Sequence, residues 1–255
     1  MTCVLPTPFW RGRRVGADLG EARTGSVDAT ATLDHGSAEV RALVDTVGAT
    51  VPSDDAAAFV RAVHSQVAGD VRPVYSVDES CPASRTLRRG RGSCSQRLAV
   101  VEAASRAVGI PTRVRGLLVS GEFWYPRFPR LRRLVPRDVV IAWPELFVDG
   151  SWRPIDEIVA RPHAASGSAP VCPAPFTNDS ETLFDAAART RIGWDEPPAG
   201  CDLCDLSHVV VRDLGRFDSR DALFARHGQT LCWPARRLAD PLLGRWSPTT
   251  ATPAA

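Results

Sequence analysis

The chain has 255 residues, of which 44% are hydrophobic and 24% are charged, a composition typical of a soluble globular protein. Its net charge of +2 supplies no global field for nucleic acid, so we expect no nucleic-acid partner. All 31 side chains of the Lys and Arg types are Arg, which excludes a P-loop lysine, a Schiff-base lysine and the lysine anchor of pyridoxal phosphate.

The apolar runs are all shorter than the roughly 20 residues that a membrane span needs. Residues 1–20 lack the apolar core of a signal peptide. We therefore expect a cytoplasmic protein with no membrane partner. The seven cysteines are an odd number, and in a reducing compartment they are expected to be free, catalytic or metal-bound rather than paired in disulfides.

The first part of the chain predicts an arm followed by two helices. Residues 1–35 are weakly periodic and are interpreted as an N-terminal arm with a strand over 24–33. Apolar residues at spacings of three and four predict helices over 37–47 and 53–67.

A third helix is marked by a cysteine at its start. Ser93 and Gln96 have the spacing of a capping box, and Gly109 suits the end of the helix. This register places Cys94 at the first helical position, where free N–H groups and the positive helix end favour a thiolate. An alternative interpretation is a small apolar residue beneath a helix cap. Five nearby arginines could lower the pKa of the Cys94 thiol further: Arg85, Arg88, Arg89, Arg91 and Arg97.

Strand patterns follow this helix. Residues 112–120, 138–147 and 152–155 are predicted strands, and the Asp149-Gly150 pair between the last two is typical of a two-residue hairpin turn. Helices followed by antiparallel strands predict an α+β fold. Beyond residue 158 the pattern weakens: we expect a loop over 161–177, helices over 181–191 and 218–227, and a disordered tail over 236–255.

From about residue 83 to residue 156 the chain resembles the transglutaminase-like superfamily of papain-type cysteine enzymes. The residues that carry the resemblance are Ser84 to Leu87, Gly92-x-Cys94, Ala99, residues 107–113 (AVGIPTR), Gly116, residues 142–145 (AWPE), residues 150–152 (GSW) and Asp156. The resemblance implies a papain-like fold in which a Cys-bearing helix packs on an antiparallel sheet. The domain would cover 36–235, including a C-terminal extension, with a Cys-His-Asp triad.

The resemblance places the nucleophile at Cys94 and the orienting carboxylate at Asp156, but the position of the base is occupied by Ile141. Isoleucine cannot accept a proton, so ordinary amide chemistry is in doubt, since an amine leaving group must be protonated. The leaving group of a thioester is a thiolate, which needs no proton. Two alternatives remain open: a relocated base in a cysteine hydrolase (His163, His208, His64 or Glu145), or a non-catalytic binding protein that has lost the triad histidine.

Two further groups of residues could bind ligands. Cys201, Cys204 and His208 could hold a structural zinc, although two buried thiols beside a strand would explain the same pattern. Five arginines interleaved with aromatic residues lie between the first two strands, where they could hold a phosphate, a carboxylate or an acidic carrier protein, or could form a solvated loop. They are Arg127, Arg130, Arg132, Arg133 and Arg137.

The resulting expectation is a cysteine-dependent acyl transferase or cyclase with no required cofactor. Its substrate would be a small or carrier-bound thioester or amide-type acyl compound, with amide-bond formation in biosynthesis as one possibility. Cys94 would be the nucleophile, its own N–H an oxyanion donor, and Asp156 an electrostatic or structural group. The predicted substrate-binding residues are Trp124, Arg127, Arg130, Arg133 and Trp143, although a structural role is the favoured one for Trp143.

Overall fold

The computed structural model describes residues 24–130, 132–160, 176–195 and 204–230. Within these ranges the helices are α1 (Ala38–Gly48), α2 (Ala56–Asp70), α3 (Ala83–Arg89), α4 (Cys94–Ala107), α5 (Ile155–Val159), α6 (Leu183–Ala187) and α7 (Arg220–His227). The strands are β1 (Arg72–Pro73), β2 (Arg91–Gly92), β3 (Thr112–Ser120), β4 (Asp138–Val148), β5 (Ser151–Pro154) and β6 (Val210–Phe217). Residues 1–23 of the expected arm and the expected tail over 236–255 lie outside the described residues.

Side-chain caps set the starts of the helices. Ser37 accepts a hydrogen bond from the Val40 N–H at the start of α1, as its position before the apolar stripe predicts. The predicted start of the second helix at residue 53 is wrong, because Asp55 accepts a hydrogen bond from the Ala58 N–H and α2 begins only at Ala56.

The main sheet has four antiparallel strands in the order β5-β4-β3-β6. The hairpin between β4 and β5 turns at Asp149 and Gly150, both with positive φ (53° and 74°), as the two-residue turn requires. The last strand predicted over 152–155 is Ser151–Pro154 instead, because Ile155 already begins α5.

The sheet separates two apolar clusters. The larger cluster joins the buried faces of α1, α2 and α4 to Leu117, Val119 and Trp143 of the sheet. The smaller cluster lies beneath α7 and contains Val114, Val140, Ala142, Phe217, Leu223 and Phe224. The predicted α+β fold, with a Cys-bearing helix packed on an antiparallel sheet, is confirmed.

Other segments differ from their predictions. The strand expected over 24–33 is reduced to a single bridge between Ser26 and Thr112, and Thr32 of this segment instead bonds Asp221 on α7. The helix expected over 181–191 spans only Leu183–Ala187. The sequence pattern missed α3 and the short parallel pair β1–β2. None of the helices in the described ranges is long and apolar enough to cross a membrane.

Candidate active site

Cys94 is the first residue of α4. The Ser93 side chain accepts from the Gln96 N–H, while the Gln96 side chain accepts from the Ser93 N–H, which completes the predicted capping box. Cys94 is partly exposed and packs against the larger apolar cluster. The cap therefore fixes the thiol beside the free N–H groups of the first helical turn.

The electrostatic surroundings of Cys94 differ from the expectation. Burial raises the pKa of the Cys94 thiol to about 12 and outweighs the charges of Arg97 and Arg127 and a main-chain hydrogen bond from Phe184, which all lower it. Asp185 raises the pKa further. The direction of this shift is opposite to the expected one, because the loss of hydration outweighs the effect of the nearby positive charges on the thiol.

Arg97 and Arg127 are held at the site by different kinds of partner. Arg97 is 1% exposed, lies over the Phe184 ring at 3.9 Å and forms an ion pair with Asp185 at 3.0 Å. Arg127 is partly buried and donates to the Asn178 side chain, the Tyr75 hydroxyl and the Glu181 carbonyl. These three acceptors are uncharged, so they bind the guanidinium of Arg127 without neutralising its charge.

The other substrate-binding residues predicted on this loop are exposed or half-buried. Arg130 and Arg133 are exposed to solvent. Trp124 is half-buried, packs edge-on against Phe123 at 4.7 Å and contacts the larger apolar cluster. Of the predicted substrate-binding arginines, Arg127 is the one whose charge acts on Cys94.

Asp156 binds groups other than an imidazole. One carboxylate oxygen accepts from the Trp143 indole at 3.2 Å and the other accepts from the Ile192 N–H at 2.8 Å. Burial raises the pKa of the Asp156 carboxyl to about 6. Ile141 lies on β4 opposite Leu117 and contacts the larger apolar cluster. Trp143 is thus both a core residue and a partner of Asp156.

Among the candidates for a relocated base in the described residues, His64 contacts Phe184, a residue that affects the pKa of Cys94. Its Nε2 is 2.9 Å from the Phe184 carbonyl, which can only accept, so Nε2 carries the proton. The imidazole stacks on the Phe184 ring at 3.9 Å, and burial lowers the pKa of His64 to about 4. His64 is therefore neutral at pH 7 and connects to Cys94 through Phe184.

The other base candidates do not reach this environment in the described residues. Glu145 forms ion pairs with Arg113 at 2.6 Å and Arg216 at 3.0 Å. His208 is exposed in the turn before β6, and His163 lies outside the described residues.

The proposed zinc ligands are only partly described. Cys204 is buried in the larger apolar cluster and His208 is exposed, while Cys201 lies outside the described residues. The ranges that the structure describes contain no group of three or more potential metal ligands. Zinc binding by Cys201, Cys204 and His208 thus remains a prediction.

Two residues of the site were missed by sequence reasoning. Phe184 contacts Cys94, His64 and Arg97, and Ile192 contacts Asp156, although both lie in the weakly patterned region after residue 158. One signal was present: Thr182 and Asp185 have the spacing of a cap and form a capping box at the start of α6. That signal locates the short helix but does not reveal that it packs against Arg97 of α4.

The candidate site thus consists of a cysteine at the start of a capped helix, an antiparallel sheet on which this helix packs, and a buried aspartate at the start of α5. Residues 41–157 match the family model of the transglutaminase-like superfamily. This part of the chain is therefore similar to a transglutaminase-like domain, and the matched residues include Cys94, Ile141 and Asp156. Searches of curated proteins and of solved structures found no match.

Proposed function

We propose that this domain transfers acyl groups through Cys94, from thioester donors to an acceptor such as an amine. The observation that supports this proposal is the position of Cys94 as the first residue of a capped helix, where the free N–H groups of the first turn and the charges of Arg97 and Arg127 act on the sulfur. Such groups stabilise negative charge on a thiolate and on the oxygen of an adjacent tetrahedral intermediate. Asp185, which opposes them, is already paired with Arg97.

The chemistry of the leaving group favours thioesters over amides. When Cys94 attacks a thioester, the new bond from Sγ to the acyl carbon forms as the donor's C–S bond breaks, and the proton of the Cys94 thiol passes through solvent to the departing thiolate. An amine acceptor then attacks the acyl carbon, Sγ leaves, and the amine loses its proton to solvent. Amide cleavage would instead need an acid for the nitrogen. Ile141 cannot supply a proton, and the Nε2 proton of His64 is donated to the Phe184 carbonyl.

The arginines suggest that the acyl donor carries negative charge. Arg127 is partly buried among neutral acceptors, and Arg130 and Arg133 are exposed on the same loop. A donor with a phosphate or carboxylate, including an acyl group on an acidic carrier protein, would complement these charges.

The first experiment measures acylation of Cys94 by simple acyl thioesters, with peptide mass spectrometry of all the cysteines. We expect acyl-Cys94 to form and to be discharged by added amines. Cys94→Ala should abolish this reaction. Cys81→Ala should retain it, because Cys81 is a buried free cysteine outside the site.

A matched pair of arginine variants tests the role of charge. We expect Arg127→Gln to slow acylation by about tenfold, equivalent to about 1.4 kcal/mol of transition-state stabilisation. Arg41→Gln, at an exposed position of α1, should change the rate little. Acylation of Cys94 no faster than that of the other cysteines would overturn the proposal.

A second candidate is a non-catalytic binding protein. The observation in its favour is that both oxygens of Asp156 are occupied, by Trp143 and Ile192, while the Cys94 thiol is neutral at pH 7. This candidate predicts that Cys94→Ala binds an acyl thioester as tightly as the unaltered protein and that no acyl-enzyme forms.

A further inference from the structure

The guanidinium of Arg127 is held entirely by neutral hydrogen-bond acceptors. Its Nε donates to the Asn178 side chain, one terminal nitrogen donates to the Tyr75 hydroxyl at 3.0 Å, and the other donates to the Glu181 carbonyl. Arg127 and these three partners are termed the guanidinium cradle. An arginine carries five N–H donors. The partners use three of them, so one N–H on each terminal nitrogen has no acceptor among the described residues.

The acidic side chains that follow the asparagine of the cradle in the chain are bound to other groups. Glu181 offers only its carbonyl to Arg127, because its carboxylate forms an ion pair with Arg189 at 2.6 Å. Asp179 accepts from two neighbouring hydroxyl groups, and Asp185 forms an ion pair with an arginine of α4. Charged groups that leave bulk water are normally paired. The charge of Arg127 has no such partner within the described ranges, which favours an anion at this position.

Tyr75 adds a third donor to the guanidinium cradle. Its hydroxyl oxygen accepts from Arg127, so its own O–H can donate, and that proton has no acceptor in the part of the chain that the structure describes. The Tyr75 ring packs on Phe128 at 4.8 Å, and the Arg127 guanidinium lies 5.6 Å from the centre of the same ring. These contacts place the hydroxyl beside the guanidinium, where both can donate to one anion.

Asn178 fixes the orientation of the guanidinium. It is 4% exposed and has a positive φ of 52°, in the left-handed region that asparagine tolerates. Its side-chain nitrogen donates to the Phe123 carbonyl, which leaves its side-chain oxygen to accept from Arg127. Arg127 and Tyr75 are themselves half-buried. The guanidinium cradle therefore combines a fixed geometry with donors that solvent or a ligand can reach.

The tyrosine side of the guanidinium cradle is connected to the first turn of α4. Tyr75 is followed by Ser76, whose hydroxyl accepts from the Gln96 side chain at 2.8 Å. Gln96 is the third residue of α4 and completes the capping box at Cys94. The segment that carries the Tyr75 hydroxyl is therefore bound to the same helical turn as the cysteine.

A second connection reaches this turn from the other side. Glu181, whose carbonyl binds Arg127, lies just before α6, and Asp185 of α6 forms an ion pair with Arg97 at 3.0 Å. Arg97 is three residues after Cys94, so it lies in the first turn of α4. Two independent sets of contacts thus place the guanidinium cradle beside the start of the helix that carries the cysteine.

We propose that the guanidinium cradle binds an oxyanion, either a carboxylate or a phosphate, of the ligand that occupies the Cys94 site. Arginine binds both groups through two parallel N–H···O bonds, and the cradle has one free N–H on each terminal nitrogen for this purpose. The Tyr75 hydroxyl supplies a third bond. Binding of the anion does not depend on acyl transfer, whereas the assignment of that anion to an acyl donor rests on the proposed function.

The first test is a titration of the full-length protein with glutarate and with inorganic phosphate, followed by the NMR signals of the arginine Nε–H groups. We expect the Arg127 signal to shift saturably with at least one of these anions, and the anion that saturates at the lower concentration identifies the preferred oxyanion. Arg41, at an exposed position of α1, is the internal control. The proposal is overturned if the Arg127 signal shifts no more than the Arg41 signal with either anion.

The two tyrosines of the chain form a matched pair of variants. Tyr75→Phe removes one donor while leaving the guanidinium in place, and should weaken anion binding about fivefold. Tyr125→Phe changes a tyrosine outside the guanidinium cradle and should leave anion binding unchanged. Arg127→Lys keeps the charge but loses the planar fork, so it should weaken binding about tenfold. Equal binding by Tyr75→Phe and Tyr125→Phe would overturn the proposal.

Three matched thioesters locate the oxyanion on the donor: butyryl-pantetheine has none, glutaryl-pantetheine carries a carboxylate on the acyl chain, and butyryl-4′-phosphopantetheine carries a phosphate on the thiol. We expect one of the two anionic donors to acylate Cys94 about tenfold faster than butyryl-pantetheine. Tyr75→Phe should reduce this preference, and Tyr125→Phe should retain it.

The outcomes separate the two proposals. If an anion binds but none of the three thioesters acylates Cys94, the acyl-transfer proposal fails and the oxyanion site stands. If all three acylate Cys94 equally fast and neither anion binds, the oxyanion site fails and acyl transfer stands. Equal rates together with anion binding would overturn the assignment of the oxyanion to the acyl donor.

Discussion

The reactivity of Cys94 depends on two opposing effects on one sulfur atom. Burial favours the neutral thiol and raises its pKa to about 12, while Arg97, Arg127 and the Phe184 N–H favour the thiolate. A positive charge stabilises an anion most strongly where water is excluded, but the same exclusion removes the hydration of that anion. The pKa of the Cys94 thiol therefore depends on how far the surrounding protein excludes water from the sulfur.

Asp156 provides a prediction about the dependence of stability on pH. Its pKa is raised from 3.8 to about 6, so the folded protein holds this proton more tightly than the unfolded chain. The resulting stability is fully present below pH 3.8 and is lost as the pH rises through about 6, a loss of about 3 kcal/mol. Asp156→Asn cannot ionise and should lack this loss.

The measurement is urea unfolding of both proteins between pH 4 and pH 7.5. We expect the free energy of unfolding of the unaltered protein to fall relative to that of Asp156→Asn as the pH rises. Asp54→Asn, at an exposed position before α2, is the control and should follow the unaltered protein. A difference between Asp156→Asn and the unaltered protein that does not change with pH would contradict the prediction.

At the scale of elements, the cap of α4 has a structural and an electrostatic role. Ser93→Ala removes the cap and should lower the free energy of unfolding by about 1 kcal/mol, measured by urea unfolding. Ser37→Ala removes the cap of α1 and should cost a similar amount. Only Ser93→Ala should change the rate of Cys94 alkylation, since only α4 begins at the cysteine. An equal change in the rate of Cys94 alkylation in both variants would show that the cap of α4 has no specific effect on the thiol.

Local signals predicted these elements well because their causes are local. The capping box at Ser93, the hairpin turn at Asp149 and the strand over 112–120 depend on residues within a few positions of one another. The position of α6 depends on contacts between Phe184 and residues about ninety or more positions earlier, and the local sequence pattern defines only a short helix. The direction of the pKa shift at Cys94 could not be predicted locally for the same reason, because Phe184 and Asp185 are among the residues that affect it.

At the scale of the whole molecule, the part of the chain beyond the family match contributes to the structure of the matched part. Strand β6 pairs with β3, and α7 covers the smaller apolar cluster. Arg220 on α7 forms an ion pair with Glu102 in the middle of α4, where the two side chains are 1% and 0% exposed. Arg220 also donates to the Ser95 carbonyl at 3.1 Å, next to Cys94. The C-terminal region therefore fixes the helix that carries the cysteine.

The buried pair provides the prediction at this scale. Arg220→Ala leaves the Glu102 carboxylate buried without its partner and should lower the free energy of unfolding by about 3–5 kcal/mol. Replacing both members together, by Arg220→Met with Glu102→Leu, removes the uncompensated charge and should recover much of that loss. Urea unfolding followed by tryptophan fluorescence measures both proteins. If the double variant is as unstable as Arg220→Ala, then the bonds of Arg220 to Ser95, rather than the ion pair, connect α7 to α4.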